Sequence, residues 1–392
     1  MKPSPLWLAS AYYFFYFGAI GCLYPFLNLY FEQIGLNGIT IGALSTIAPL
    51  LLLFISPAWG AISDRFQLHR HLLTLATFGP ILPIVWLGQT TRLEWLAVLL
   101  AAFAFFATPV GPLIDSAVLE LIDQTPHSFG KIRVWGSVGF TLLTPGMGYL
   151  LRELGLSWMF YGYAVFMFIA GVIAIALPAR RQRWQTSFNA SLQQLVRQKA
   201  LILFFVTAFL IGAAFTAAGA FFPLHLQTLG GDAAWIGLSG AIGALSEMPI
   251  LFYSQRLFRW TGVRGSIVIA AVLFAVRWEV VALTTSPVVA LLTQTMHGVT
   301  FGAFLVGGVA YVERYTPPGL SATAQALLVA VMWGIGSTVG AFVGGWLYDV
   351  VAGSGLFHLV ALMSAISVVF VLAVTAEKAT GDPIAPLPHT HS

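Results

Sequence analysis

Apolar stretches of about twenty residues alternate with short polar connections along the whole chain, each long enough to cross a hydrocarbon layer roughly 30 Å thick as a helix. They fall near 6–31, 39–62, 72–89, 93–122, 130–151, 157–177, 200–224, 234–255, 265–284, 288–312, 322–348 and 356–375. The period-two alternation that a transmembrane barrel requires is absent. This pattern predicts an all-α integral membrane protein with twelve transmembrane helices in two six-helix halves. It divides the chain into a first half at 1–177, a polar linker at 178–199, a second half at 200–376 and a tail at 377–392.

Composition narrows the class further: 58% of the 392 residues are apolar, 8% are charged, and the mean hydropathy is +0.88. Soluble domains carry about 25% charged residues. The lone cysteine, Cys22, lies inside the first apolar run and has no partner for an intrachain disulfide. The formal net charge is +4, and the basic residues sit in the connections on one side, so no nucleic-acid partner is implied. Fourteen of the eighteen Lys and Arg lie in the termini and in connections 2–3, 4–5, 6–7, 8–9 and 10–11, with only Arg92 and Arg152 in connections on the other side. Cytoplasmic loops retain such residues during insertion, which predicts a multi-pass protein of the cell membrane with both termini and the linker cytoplasmic.

The halves echo each other. Leu119-Glu120-Leu121-Ile122-Asp123-Gln124-Thr125-Pro126 after the fourth span recurs loosely as Val312-Glu313-Arg314-Tyr315-Thr316-Pro317 after the tenth, and Trp135-Gly136 recurs as Trp333-Gly334. Repeated halves are the arrangement of many secondary transporters, whose sites lie between the repeats near the midplane.

The second span ends in Gly60-Ala-Ile-Ser-Asp64-Arg65-Phe-Gln-Leu-His-Arg70, which resembles the signature loop of the major facilitator superfamily, with Gln67 where the second glycine usually stands. Gly60, Asp64, Arg65 and Arg70 are therefore candidates for a conformational gate. Pro112-Leu-Ile-Asp115, Phe129-Gly-Lys131-Ile-Arg133-Val-Trp-Gly136-Ser-Val-Gly139-Phe140, Val276-Arg277-Trp278 and Met296-His297-Gly-Val-Thr300-Phe-Gly resemble the phenylpropionic-acid transporter branch, which is similar to the lactose permease. The resemblance implies a proton-coupled symporter. It also implies that Asp115, Arg133 and Phe140 bind substrate, and that Glu247, Arg277 and His297 serve proton coupling. Thr300 stands where that permease carries its principal proton-bearing carboxylate, and an acid appears instead at Glu279.

Without any resemblance, six ionisable residues fall inside predicted spans: Asp115, Arg133, Glu247, Arg277, Glu279 and His297. Each charged group costs about 2.5–3.5 kcal/mol to insert, so such residues face a cavity and pair there. A guanidinium offers a planar fork suited to a carboxylate or to sugar hydroxyls. Arg277 and Glu279 cannot point the same way, because two residues turn a helix through about 200°. The histidines have no metal-ligand spacing, and neither a nucleophile elbow nor a phosphate loop is present, so enzyme chemistry is not expected. Together with the resemblance, these observations predict a monomeric symporter in the lipid bilayer. It would need no cofactor, take the proton as its coupling ion, and carry a small-molecule substrate such as a sugar or glycoside, a nucleoside or an aromatic carboxylate. Efflux by proton antiport and a non-transporting receptor are the alternatives.

Overall fold

The structure, a computed structural model, describes residues 4–122, 129–177, 195, 198–317 and 320–376; the tail, most of the linker and residues 123–126 of the repeated segment lie outside the described residues. The helices of the first half are α1 (Pro5–Gln33), α2 (Gly38–Ser63), α3 (His69–Leu87), α4 (Leu93–Ile122), α5 (Phe129–Leu154) and α6 (Trp158–Ala176). The second half begins with α7 (Lys199–Thr228) and contains α10 (Pro287–Tyr315). Its remaining helices come from two long helical runs, Ala233–Leu283, which leaves helical geometry at Tyr253 and at Gly262, and Ser321–Ala376, which leaves it at Ala352.

A straight helix of 51 residues would be about 77 Å long, more than twice the hydrocarbon thickness. The run is broken at Gly262, whose φ of 68° no helix contains. Contacts with α10 show that the chain reverses there. Gly243 lies against His297 and Glu247 against Gly302, so this part runs parallel to α10; Arg277 meets His297 and Ser266 meets Gly307, so the part after Gly262 runs antiparallel. We therefore define α8 as 233–261 and α9 as 263–283. Ala352, at φ 56°, plays the same part between α11 (321–351) and α12 (353–376). Gly340 and Gly344 follow Ala213 and Ala217 along α7 in parallel, whereas Gly353 and Phe357 meet His225 and Phe222 in antiparallel order. Among the described residues, twelve helices thus cross the membrane, as the hydropathy pattern predicts.

Side-chain caps set several starts: Ser4 accepts from Trp7 N at 3.2 Å, Asn37 from Thr40 N at 3.0 Å and Asp232 from Trp235 N at 3.1 Å. Two helices leave α geometry in their interiors. In α10 a 3-10 stretch at Thr293–Met296 is followed by π turns at Gly298–Gly302, and α11 has π turns at Ala330–Gly336. Such widened turns re-aim side chains and occur often at functional sites.

The halves are pinned together at the end of the bundle opposite the chain termini. Asp349, at the end of α11, accepts from Gly38 N at 2.6 Å and Ile39 N at 2.8 Å, a carboxylate seated on the first turn of α2 where the helix dipole favours it. Asn28 Nδ2 donates to Ala220 O at 3.0 Å, and Arg152 faces Asp232 at 3.9 Å. The backbones nearly touch here: a methyl on Gly42 would lie 3.0 Å from the Cα of Gly345, and one on Gly237 would lie 3.2 Å from the Cα of Gly148. Small residues permit this approach between membrane helices.

Candidate functional site

In the first half, α1, α4 and α5 bring Tyr13, Asp115 and Arg133 together. Tyr13 and Phe17, four residues apart, share one face of α1. The Arg133 guanidinium carbon lies 3.9 Å from the centre of the Phe17 ring and 5.3 Å from that of Tyr13, so the cation rests on two π faces. Asp115 does not ion-pair with it: among the described residues, none places a carboxylate within 4.0 Å of Arg133. Instead, Tyr13 Oη donates to Asp115 Oδ1 at 2.5 Å. Arg133 nonetheless stands close enough for its charge to act on Asp115.

Phe140, two turns further along α5, packs between the halves. A methyl on Gly21 of α1 would lie 3.2 Å from its ring, and one on Gly240 of α8 would lie 3.5 Å away.

In the second half, α8 approaches α10 at two glycines. A methyl on Gly298 would lie 3.0 Å from the Glu247 Cα, and one on Gly302 would lie 3.0 Å from the Glu247 Cγ. Glu247 is half-buried, and the cation whose charge reaches it is Arg133 of the other half. Glu247 also lies beside Gly298, next to His297, while among the described residues no ion pair joins it to Arg277 or His297. Glu247 reaches α10 from α8 and Arg277 reaches it from α9, both near His297.

Arg277 is 2% exposed and has only neutral partners. It donates to Gln294 Oε1 at 2.5 Å, to His297 Nδ1 at 3.1 Å and to Thr300 Oγ1 at 3.4 Å, and its guanidinium carbon lies 4.6 Å from the Trp278 ring centre. A guanidinium can only donate, so His297 Nδ1 accepts and the imidazole is neutral with its proton on Nε2. The other side of His297 belongs to an aromatic cluster. Its ring stacks on Phe301 at 5.3 Å, Phe301 on Phe215 at 4.2 Å, and Trp333 meets both phenylalanines edge-on at 5.6 Å.

Glu279 stands apart from this cluster. It pairs with His358 of α12 at 3.0 Å, with both side chains 45% exposed. In the last turns of α2 Gly60 has open space around it, Arg65 at the helix end lies 5.6 Å from the Phe66 ring centre, and Arg70 in the first turn of α3 is exposed; the Asp64 side chain lies outside the described residues. Gln67 adopts φ 54° and ψ 40°, the left-handed conformation that explains why glycine is usual there.

Sequence reasoning missed Tyr13, Gln294, Phe215 and Asp349. The aromatic run Tyr12-Tyr-Phe-Phe-Tyr-Phe17 was the one available signal, since neutral polar residues in apolar helices attract little notice.

Two repeated six-helix halves, pinched together at one end and presenting charged groups to each other between them, define a membrane transporter that works by rocking of the halves. Residues 6–359 match the MFS_1 like family, and the chain belongs to that family of transporters, which are not enzymes. The maltose permease of Geobacillus stearothermophilus is 28% identical over 349 residues, 86% of each chain. The probable 3-phenylpropionic acid transporter of Escherichia coli (strain K12) is 29% identical over 377 residues, covering 92% of this chain and 95% of the other. The crystal structure of the nucleoside transporter NupG shares the fold, with a TM-score of 0.82 at 19% identity over 95% of this chain and 99% of that one. The names cover a sugar, an aromatic acid and nucleosides, so kinship establishes transport and leaves the cargo to the site.

Proposed function

We propose that this protein is a proton-coupled symporter of small organic carboxylates, set in the cell membrane with its termini and linker in the cytoplasm. The orientation rests on the Lys and Arg asymmetry. In that orientation the pinned end faces outward.

The observation that carries the cargo class is the unoccupied fork of Arg133. A guanidinium inside a membrane protein normally holds a carboxylate, yet here the cation lies on aromatic rings while two acids stand nearby without taking it. A cargo carboxylate completes the fork with two parallel hydrogen bonds. Phe140 and the Phe215–Phe301–Trp333 cluster supply apolar walls for the body of the molecule.

Coupling follows from charge. With His297 neutral, the acids Asp115 and Glu247 balance Arg133 and Arg277, so an arriving carboxylate leaves one negative charge in excess. Proton uptake on Glu247 restores the balance and removes its claim on Arg133. Cargo and proton then enter together, the halves rock, and loss of the proton to the cytoplasm restores the negative charge of Glu247 near the site and expels the cargo.

The test uses proteoliposomes and labelled 3-phenylpropionate. Glu247→Gln should retain exchange between equal concentrations, which needs no net proton release, and lose accumulation driven by a proton gradient. Normal uphill accumulation by that variant would overturn the role of Glu247.

A further inference from the structure

Tyr13 is wholly buried, and it contacts both charged groups of the first-half site. A buried phenol needs a hydrogen-bond partner, and it takes Asp115. The other features of this corner make that choice consequential. Asp115 on α4 and Arg133 on α5 are opposite charges in a poorly hydrated space, where attraction between them is strong. The carboxylate nevertheless spends its oxygen on the phenol, and the guanidinium spends its planar faces on Phe17 and the Tyr13 ring. Its edge, which carries the five N–H donors, is left unoccupied by any described carboxylate.

From this geometry we infer that Tyr13 is a positioning residue for transport: it holds Asp115 away from Arg133 and so keeps the guanidinium fork open for the cargo carboxylate. This rests on the proposed seating of the cargo on Arg133. Asp115 still acts on Arg133 through space and lowers the cost of burying it, without filling the positions the cargo needs. The two contacts of Tyr13 cooperate. Its hydroxyl occupies the acid, and its ring supports the face of the cation.

Removal of one oxygen atom separates this role from simple packing. In Tyr13→Phe the ring stays under Arg133, while Asp115 loses its donor. A buried carboxylate without a donor is unstable, and the nearest replacement is the guanidinium of Arg133. The acid then swings onto the fork and competes with the cargo from within.

The experiment is equilibrium binding of labelled 3-phenylpropionate to purified protein, with Tyr13→Phe, Asp115→Asn and the double variant. Tyr13→Phe should bind about tenfold more weakly. Adding Asp115→Asn, which cannot form the ion pair, should return most of the lost affinity, and Asp115→Asn alone should bind at least as tightly as Tyr13→Phe. Rescue by the second substitution is something loss of packing would not give. If the parent binds the probe and Tyr13→Phe binds it equally well, or if the double variant binds no better than Tyr13→Phe, the assignment of Tyr13 is overturned while the cargo site stands. If the parent binds maltose or uridine and not 3-phenylpropionate, the carboxylate reading fails and the role of Tyr13 fails with it.

Discussion

Arg133 in the first half and Arg277 in the second are both guanidinium groups inside the bundle. One is partly exposed, lies against two aromatic rings and has a free fork; the other is buried and spends its N–H groups on Gln294, His297 and Thr300. Both lack a carboxylate partner within ion-pair distance, but for different reasons. At Arg133 the acids are near and held off, Asp115 by a phenol and Glu247 by its place on the facing half. Around Arg277 the neighbouring groups, Gln294, His297 and Thr300, are neutral. The difference teaches that an unpaired charge within a membrane protein can mark a binding site or a fixed source of field, and that access to the fork tells them apart. Arg133 can exchange partners, whereas Arg277 holds the α9–α10 pair at a constant positive potential beside His297 and keeps that imidazole neutral.

Arg277→Met probes this contrast with the largest effect. Replacing a buried, uncompensated charge by an apolar side chain of similar length recovers a desolvation penalty of roughly several kcal/mol, and orphaning the Gln294 and His297 acceptors costs about 1–3 kcal/mol each. The two terms nearly offset, so thermal unfolding should show stability within about 2 kcal/mol of the parent, while uphill accumulation of 3-phenylpropionate falls to background because the charge balance is broken. Destabilisation beyond about 3 kcal/mol would mean that Arg277 has an anionic partner.

A smaller effect separates the halves at equivalent turns. The α8–α9 reversal uses Gly262 at φ 68°, and the α2–α3 turn uses Gln67 at φ 54°. A left-handed residue with a side chain costs about 1–2 kcal/mol, offset in part by the greater unfolded-state freedom of glycine. Gln67→Gly should raise stability by about 0.5 kcal/mol, read as a shift of one or two degrees in the unfolding midpoint; a lower midpoint would show that the Gln67 side chain makes a compensating contact.

The spans were legible because hydrocarbon imposes length and apolarity on each crossing. What the pattern missed lies at the ends. The sequence places the end of the eighth helix at 255; the helix kinks at Tyr253 and resumes through Gln255, Arg256 and Arg259, polar residues that leave the hydropathy pattern, as far as the turn at Gly262. The charged members of the site were legible for a similar reason, since an ionisable residue in an apolar run is costly. The approach of Glu247 to Arg133 across the halves was not. Glu247 meets the field of Arg133 because α5 and α8 approach each other at Gly148 and Gly237, a long-range contact that leaves no trace in local periodicity. Rotation along one helix is the exception, and it did separate Arg277 from Glu279: the first is buried in the α9–α10 contact and the second is paired with His358 on α12.

Binding of 3-phenylpropionate to Arg133→Lys, set beside Arg277→Met, tests the central claim most directly. Lysine keeps the charge and loses the fork, so one charge-assisted hydrogen bond worth about 1.5–3 kcal/mol is lost. The account predicts affinity at least about tenfold weaker for Arg133→Lys and within about threefold of the parent for Arg277→Met. Parent-like affinity in Arg133→Lys together with lost binding in Arg277→Met would contradict it, and would place the cargo carboxylate in the second half.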